Sequence, residues 1–199
     1  MSTFQSYSHE GQDIMVNALL GPRFFLDIGC GDPVDWSNTY ALEKLGWRGI
    51  LVDWAADLER FAAARSSPVF RVDCETLDWR AFLHESGCPR LIDYISLDVD
   101  YANLQVLNCF PWREYEFKLM TCEHDYYRLG GVIRDRAEEV LGALGYRMLL
   151  RDGHVSGASW ESWWVNERYV QVQEMYRRDM DWADFLSELL PWLAARRQA

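Results

Sequence analysis

Phe24-Phe25-Leu26-Asp27-Ile28-Gly29-Cys30-Gly31-Asp32 is a short apolar run that ends in an acid and breaks into a glycine turn. An apolar run of this length bounded by glycine reads as a strand buried on both faces, as in a parallel sheet. Gly29 and Gly31 let the chain turn sharply, and let a ligand approach the backbone where a side chain would collide. Downstream, Gly49-Ile50-Leu51-Val52 is a second apolar run, and it ends at Asp53. A carboxylate at the tip of the next strand is where the ribose hydroxyls of a nucleotide cofactor are held.

The turn carries no lysine after it, so it is not a phosphate loop. It is not a dinucleotide fingerprint either, because the position of the third glycine is Val34. Asp27 and Asp32 flank the turn with negative charge, which would repel a pyrophosphate. S-adenosylmethionine fits better. It is cationic at its sulfonium and ammonium, and it has ribose hydroxyls but no phosphate. The plainer alternative is a strand-to-helix turn whose glycines serve geometry alone.

A chain of 199 residues, 49% of them hydrophobic, can bury a core as one domain over 1–199 and is not a disordered segment. The net charge of −11 argues against nucleic acid as the partner, since that affinity rests on Lys and Arg neutralising phosphates. The pairs Arg177-Arg178 and Arg196-Arg197 are too small to reverse it and read as solvated helix faces. Cys30, Cys74, Cys88, Cys109 and Cys122 are odd in number and lack C-x-x-C spacing, so they read as reduced thiols of a cytoplasmic protein. No signal peptide opens the sequence, and no apolar run is long enough to span a membrane. Ten tryptophans are many for this length; core packing accounts for most, and Trp160, Trp163 and Trp164 are candidates for an acceptor pocket.

Along the chain, helix patterns alternate with strand patterns. A first helix is expected from His9 to Leu20, and strands at Phe24 to Ile28, Ile50 to Val52, Val69 to Val72, Leu91 to Leu97 and Phe117 to Cys122. Ser37 or Asn38 is placed to cap a helix reaching Leu45, and Asp78 to cap the helix of Trp79, Phe82 and Leu83. Gly130-Gly131 leads into a helix with Ile133, Ala137, Val140, Leu141 and Leu144. Tyr146 to Leu150 and Ser159 to Val165 read as an antiparallel pair at the sheet edge. A final amphipathic helix over about 180–196 carries Trp182, Phe185, Leu186, Leu189 and Leu193 on one stripe. That stripe covers the sheet or, as the alternative, meets a second copy in a homodimer; covering the sheet is the expectation. The alternation predicts an α/β fold: a Rossmann-like, doubly wound, mostly parallel sheet with helices on both faces.

In such sheets ligands bind beyond the carboxyl ends of the strands. Five expected strands end in an acid: Asp27, Asp53, Asp73, Asp98 and Glu123. Core packing alone would not put a charge at every strand exit, so one acidic site along one sheet edge is expected.

Asp27-Ile28-Gly29-Cys30-Gly31 is similar to the first motif of class I S-adenosylmethionine-dependent methyltransferases. More narrowly, the chain resembles the FkbM-type methyltransferases. The resemblance rests on Gly11-Gln12-Asp13, the glycine turn, Ser37-Asn38-Thr39, Gly46 to Asp53, Ile92 to Asp100 and Glu123-His124, with Glu161-Ser162-Trp163-Trp164 as a weaker match. In order and spacing these pieces cover roughly residues 11–125, a span far beyond any single short motif.

The resemblance implies methyl transfer, in this family commonly to a hydroxyl of a sugar, macrolide or other small metabolite. It implies that Gly29 and Gly31 meet the methionine part of the cofactor, Asp53 the ribose, and Asp73 with Cys74 the adenine, and that Asp98 faces the reaction centre. The cofactor set is thus Asp27, Gly29, Cys30, Gly31, Asn38, Asp53, Asp73, Cys74 and Asp98. Two positions depart from the family pattern. Pro33 replaces the third small residue of the turn, and Asp100-Tyr101 replaces an acidic-glycine pair.

Methyl transfer to oxygen is an in-line displacement in which positioning matters most and a base that removes the hydroxyl proton helps. His124, Asp98 and Asp100 are the candidate catalytic residues; the alternative for His124 is a hydrogen-bonded structural histidine at a strand end. Asp98, Glu123 and Asp125, at adjoining strand ends, could hold Mg²⁺ or Ca²⁺ through oxygen ligands. The alternative is that these acids meet the cofactor's ammonium and cap loops. Two further functions compete: a cofactor-binding regulator or scaffold that has lost catalysis, motivated by Pro33 and Tyr101, and, more weakly, a nicotinamide oxidoreductase.

Overall fold

Parallel β-strands set the architecture of this protein, whose computed structural model describes residues 4–196. In chain order the elements are α1 (Gln12–Leu19), β1 (Phe24–Ile28), α2 (Tyr40–Lys44), β2 (Arg48–Asp53), α3 (Leu58–Ala64), β3 (Val69–Arg71), α4 (Trp79–Glu85), β4 (Leu91–Leu97), α5 (Asn103–Cys109), β5 (Glu116–Glu123), α6 (Tyr126–Leu129), α7 (Val132–Ala143), β6 (Arg147–Val155), β7 (Ala158–Val165), β8 (Arg177–Asp181) and α8 (Trp182–Arg196). The strands form one sheet in the order β3-β2-β1-β4-β5-β7-β6-β8. β1 to β5 are parallel, β7 is antiparallel to both β5 and β6, and β8 is parallel to β6. This is the doubly wound arrangement the sequence predicts.

The period of two along each strand divides the core between the sheet's faces. Leu26 and Ile28 of β1 pack with Ile50, Val52, Ile95 and Leu97 under α4, α5 and α7. Phe25 packs on the other face with Leu51, Tyr94, Leu119 and Trp163 under α1, α2, α3 and α8. The stripe Trp182, Phe185 and Leu189 of α8 is buried against Trp163, Leu149 and Leu150, so it covers the sheet of its own chain.

Four expectations are corrected. The first helix begins at Gln12, not His9, because Gly11 at φ 83 forms its entry turn. α2 begins at Tyr40; Ser37 Oγ accepts from the Tyr40 amide at 3.2 Å, while Asn38 turns inward to Ser96. The β6/β7 pair is not the edge of the sheet, because β7 inserts between β5 and β6 and the charged Arg177-Arg178-Asp179-Met180-Asp181 segment adds an edge strand. Arg177 and Arg178 therefore lie on a strand, not a helix. Asp78 caps α4 as expected, accepting from the Ala81 amide at 3.1 Å. All five cysteines are free thiols, and among the described residues no helix is long and apolar enough to cross a membrane.

Gly49 on β2 lies flat against the Phe25 ring, and a Cβ there would overlap the ring carbons. Phe25 is fully buried and cannot swing away. Gly49→Ala should destabilise the fold by about 1–3 kcal/mol through overpacking, read as a lowered denaturation midpoint in urea.

Candidate active site

The glycine turn after β1 is fastened on two sides. The Gly29 and Cys30 amides both donate to the Val52 carbonyl of β2, at 2.8 and 3.2 Å, and the Asp98 amide donates to the Ile28 carbonyl at 2.8 Å. Gly29 sits at φ 89, and a Cβ there would overlap the Asp98 carbonyl oxygen, so only glycine passes. Gly31, at φ 54, donates its amide to Asp53 Oδ2 at 3.0 Å, and Asp53 Oδ1 accepts from the Ala55 amide at 2.7 Å. Asp53 thereby shapes the turn, and its remaining lone pairs face outward at the strand end.

Beyond these strand ends lies a groove of about 460 Å³ lined by Gly29, Asp53, Trp54, Asp73, Cys74, Glu75, Asp98, Val99, Asp100, Tyr101 and Ala102. It collects Gly29, Asp53, Asp73, Cys74 and Asp98 from the expected cofactor set. Trp54 and Tyr101, 75% and 57% exposed, are unusually open aromatic walls.

A second, smaller cavity of about 220 Å³ is lined by His9, Gln12, Trp36, Asn38, Asp98, Glu123, Trp160 and Glu161. Asp98 lines both, so the two spaces adjoin at this residue. The loop before α1 closes the cavity's far side. Buried Asp13 holds that loop, accepting from the Ser6 hydroxyl at 2.6 Å, the Tyr7 amide at 2.8 Å and the Ser8 hydroxyl at 2.7 Å. His9, carried on the loop, stacks on Trp36 with ring centroids 5.0 Å apart and meets Trp160 edge-on at 4.8 Å.

Four members of the expected cofactor set lie outside the groove lining: Asp27, Cys30, Gly31 and Asn38. Asp27 points to the opposite face from Leu26 and Ile28 and is buried behind the turn. It accepts from the Thr39 hydroxyl at 2.5 Å, and Thr39 accepts from Arg65 Nη2 at 2.9 Å. Burial pushes the Asp27 carboxyl up to about 6, against the pull of that hydroxyl and of Arg65. Cys30 is also buried, and burial beside Asp27 and Asp53 drives its thiol far above the usual range. These two side chains support the turn from behind and line neither space. Asn38 lines the second cavity rather than the groove. Cys74 lines the groove, its thiol pushed up to about 12 by burial.

Asp98 and Glu123 follow the paired residues Leu97 and Cys122 on adjacent parallel strands, which brings their carboxyls together. Asn103 fixes the two ends: its Oδ1 accepts from the Val99 amide and its Nδ2 donates to the Glu123 carbonyl, each at 3.0 Å. Asp98 is open to the cleft yet ringed by protein. This desolvation raises its carboxyl, and burial together with the Asp98 charge pushes Glu123 up to about 10. Burial and mutual repulsion both favour keeping a proton on this pair, most of all on Glu123. Glu161, fully desolvated, is likewise raised well above the carboxylate range.

His124 is corrected. Its ring is completely buried and turned away from the cavity, toward β6. Nε2 lies 3.4 Å from the Arg151 carbonyl and 4.0 Å from Asp152, and Nδ1 accepts from the Tyr126 amide at 3.3 Å. Burial pulls its pKa down to about 4, so it stays a neutral structural histidine. The adjacent Glu123 points the other way because successive strand-end residues alternate. The metal expectation is also unsupported. The acids that converge are Asp100, Glu123 and Asp125, without Asp98. Arg128 Nη2 already sits against both Asp100, at 2.8 Å, and Asp125. Asp100 lines the groove at φ 51, meets that arginine, and does not line the small cavity.

Sequence reading missed Trp54, Glu75, His9, Gln12, Trp36 and the inward turn of Glu161. Trp54 directly follows Asp53, a signal open to inspection. His9 and Trp36 come from loops with no periodicity, and only the fold joins them. Of the tryptophans weighed as pocket walls, Trp160 lines the cavity, whereas Trp163 and Trp164 are core on opposite faces.

Solved structures share this arrangement. A TehB-like S-adenosylmethionine-dependent methyltransferase from Corynebacterium glutamicum superposes with a TM-score of 0.51 over 80% of this chain and 89% of its own, at 14% identity. The Dnmt2 methyltransferase of S. pombe gives 0.54 over 85% of this chain and 54% of its own, also at 14% identity. The chain has the class I methyltransferase fold. The small RNA methyltransferase HEN1 matches 91% of this chain and 28% of its own with a TM-score of 0.50 and 15% identity. No protein-family model matches the chain, and no curated protein matches it in sequence.

The raised Glu123 carboxyl has a measurable consequence. Its pKa is higher folded than the usual 4.5, so its contribution to stability is complete below about pH 4.5 and is lost as pH rises toward 10. Glu123→Gln keeps the neutral hydrogen-bonding shape without the ionisation. Its stability should therefore improve relative to the parent as pH rises from about 5.5 to 8.5, measured by urea unfolding at both ends of that window.

Proposed function

We propose that this protein is an S-adenosylmethionine-dependent O-methyltransferase acting on a hydroxyl of a small molecule, and that it resembles the FkbM-type enzymes in doing so. The observation that carries the reading is that two spaces adjoin at one residue, Asp98. The groove beside Gly29, Asp53, Asp73 and Cys74 has the donor set for a phosphate-free adenosyl cofactor, and the cavity beside Asp98 and Glu123 adjoins it. S-adenosylmethionine supplies an electrophilic methyl group there. Asp53 would take the ribose hydroxyls, Trp54 and Cys74 would flank the adenine near Asp73, and Asp98 would face the cationic end.

The acceptor would lie in the small cavity with its hydroxyl at Asp98. The protein's share of the chemistry is orientation and proton acceptance. An ionised Asp98 accepts the hydroxyl proton; His124 has no path to it. The small closed cavity and the acidic rim of Glu75, Asp100 and Glu123 favour a small molecule over a nucleic acid. A cytoplasmic setting agrees with the free thiols.

The departures from the family pattern do not obstruct either space. Pro33 retains the carbonyl that accepts from Arg65 Nη1 at 3.2 Å, and Tyr101 stands exposed on the groove wall rather than in the acceptor cavity. This favours catalysis over a regulator that only binds cofactor.

S-adenosylhomocysteine should raise the melting temperature and NAD should not, because a ligand bound only to the folded state stabilises it. A shift with NAD alone would overturn the reading. Asp53→Ala should weaken S-adenosylhomocysteine binding by about 1.5–3 kcal/mol in calorimetric titration. Once an acceptor is in hand, Asp98→Asn should slow turnover by about 10²–10⁴-fold. His124→Ala should keep turnover per folded molecule while lowering stability, which steady-state kinetics beside thermal melts would separate.

A further inference from the structure

Three carboxyls converge on the small cavity, and their placement says what the acceptor carries besides a hydroxyl. Glu123 and Glu161 are directly paired across the β5/β7 ladder, so both side chains leave the same face of the sheet. Like charges opposite one another in an antiparallel pair are destabilising. Here Asp98 joins them on the same wall. Glu161 is only 5% exposed, and its partners are neutral: Gln12 Nε2 at 3.2 Å and the Trp163 indole N–H. None of the three carboxyls has an ion pair with Lys or Arg among the described residues, and His9 is the only basic side chain on the wall.

Asn38 supplies an independent observation. It is 7% exposed, and its Nδ2 donates to Ser96 Oγ at 2.9 Å. Its Oδ1 is buried on the cavity wall and has no partner. Buried acceptors in folded proteins are nearly always satisfied, so this oxygen waits for a donor. The cavity therefore presents acceptors to its occupant. Its remaining walls, Trp36 and Trp160, are the aromatic faces on which cations rest.

We propose that the acceptor carries a protonated amine beside the hydroxyl that is methylated, an amino sugar or similar amino alcohol, with the ammonium held by Glu161, Glu123 and Asn38 against the indoles. The inference rests on the methyltransferase reading for the word acceptor, but the binding chemistry stands apart from it. An ammonium offers three donors and a full positive charge. It satisfies Asn38 and, by its charge, lets the opposed carboxyls give up the protons that burial makes them keep. A neutral sugar can hydrogen-bond the same groups but brings no charge against which the buried pair could ionise.

Calorimetric titration of the full chain at about pH 7 with glucosamine and with glucose tests this, each with and without saturating S-adenosylhomocysteine. Glucosamine should bind at least about tenfold more tightly than glucose, the scale of one charge-assisted contact. In Glu161→Gln the preference should fall to within about threefold. Glu123→Gln gives the same reading should Glu161→Gln fail to fold, which circular dichroism reports. Equal binding of the two sugars, no binding of glucosamine at about 10 mM where even a weak site would be half filled, or a preference kept in the folded Gln variants would overturn the proposal. Failure of S-adenosylhomocysteine to bind would instead overturn the cofactor reading, since the comparison without it still reports on the cavity.

Discussion

The approach of Gly29 to the carbonyl of Asp98 governs the rest of this structure. Two parallel strands can close at their carboxyl ends only if the turn leaving one of them carries no side chain there. Gly29 meets that condition, and the Ile28 carbonyl then takes the Asp98 amide. Everything functional is hung from that closure. Asp53 reaches across to the Gly31 amide, the groove opens beside the turn, and the Asp98 side chain is delivered to the boundary between groove and cavity. A larger residue at position 29 would part the strands and separate the two spaces.

The second constraint is electrostatic. Ionised carboxyls removed from water without a cation are costly, and proteins usually answer by pairing them or by letting them keep their protons. This chain does both, in different places. On the α2/α3 side Arg65 is buried among Glu43, Thr39 and the Pro33 carbonyl, and through Thr39 it steadies Asp27. At the groove rim Arg128 joins Asp100 to Asp125. On the cavity wall, by contrast, Asp98, Glu123 and Glu161 have no Lys or Arg ion pair among the described residues, and burial raises all three. The arginines thus secure the acids that build the scaffold, and the acids facing the ligand spaces remain uncompensated.

Backbone strain gathers at the same place in part. Among the described non-glycine residues, Trp36, Asp100 and Asp125 hold positive φ at the cavity mouth, the groove and the end of β5, and Ser156 does so in the β6/β7 turn. Aspartate tolerates that region better than most residues, and tryptophan does so only under restraint. Stacking on His9 and the bridge between Ser8 and Trp36 provide it. The loop before α1 and the loop after β1 therefore fix one another, and together they wall the small cavity.

The sequence by itself determined the sheet and the side on which its ligands sit. Apolar runs of strand length, each ending in an acid, with helical periodicity between them, leave little choice but a doubly wound parallel sheet with its site at the carboxyl edge. The glycine turn, Asp53, Asp73 and Asp98 were legible for the same reason: local chemistry at a strand end has local causes. What only the tertiary structure decided was direction and company. Asp27 and His124 sit at strand ends like the others, yet one turns behind the turn and the other toward β6, because the face a side chain takes depends on the register of the whole sheet. The β8 edge strand is charged and short, and it pairs only because β6 offers it a free ladder. Gln12, Asn38 and Glu161 lie far apart along the chain, and no periodicity connects them. Their meeting beside Asp98 follows from the order of the strands and the path of the loop before α1, which are properties of the packed chain rather than of any segment within it.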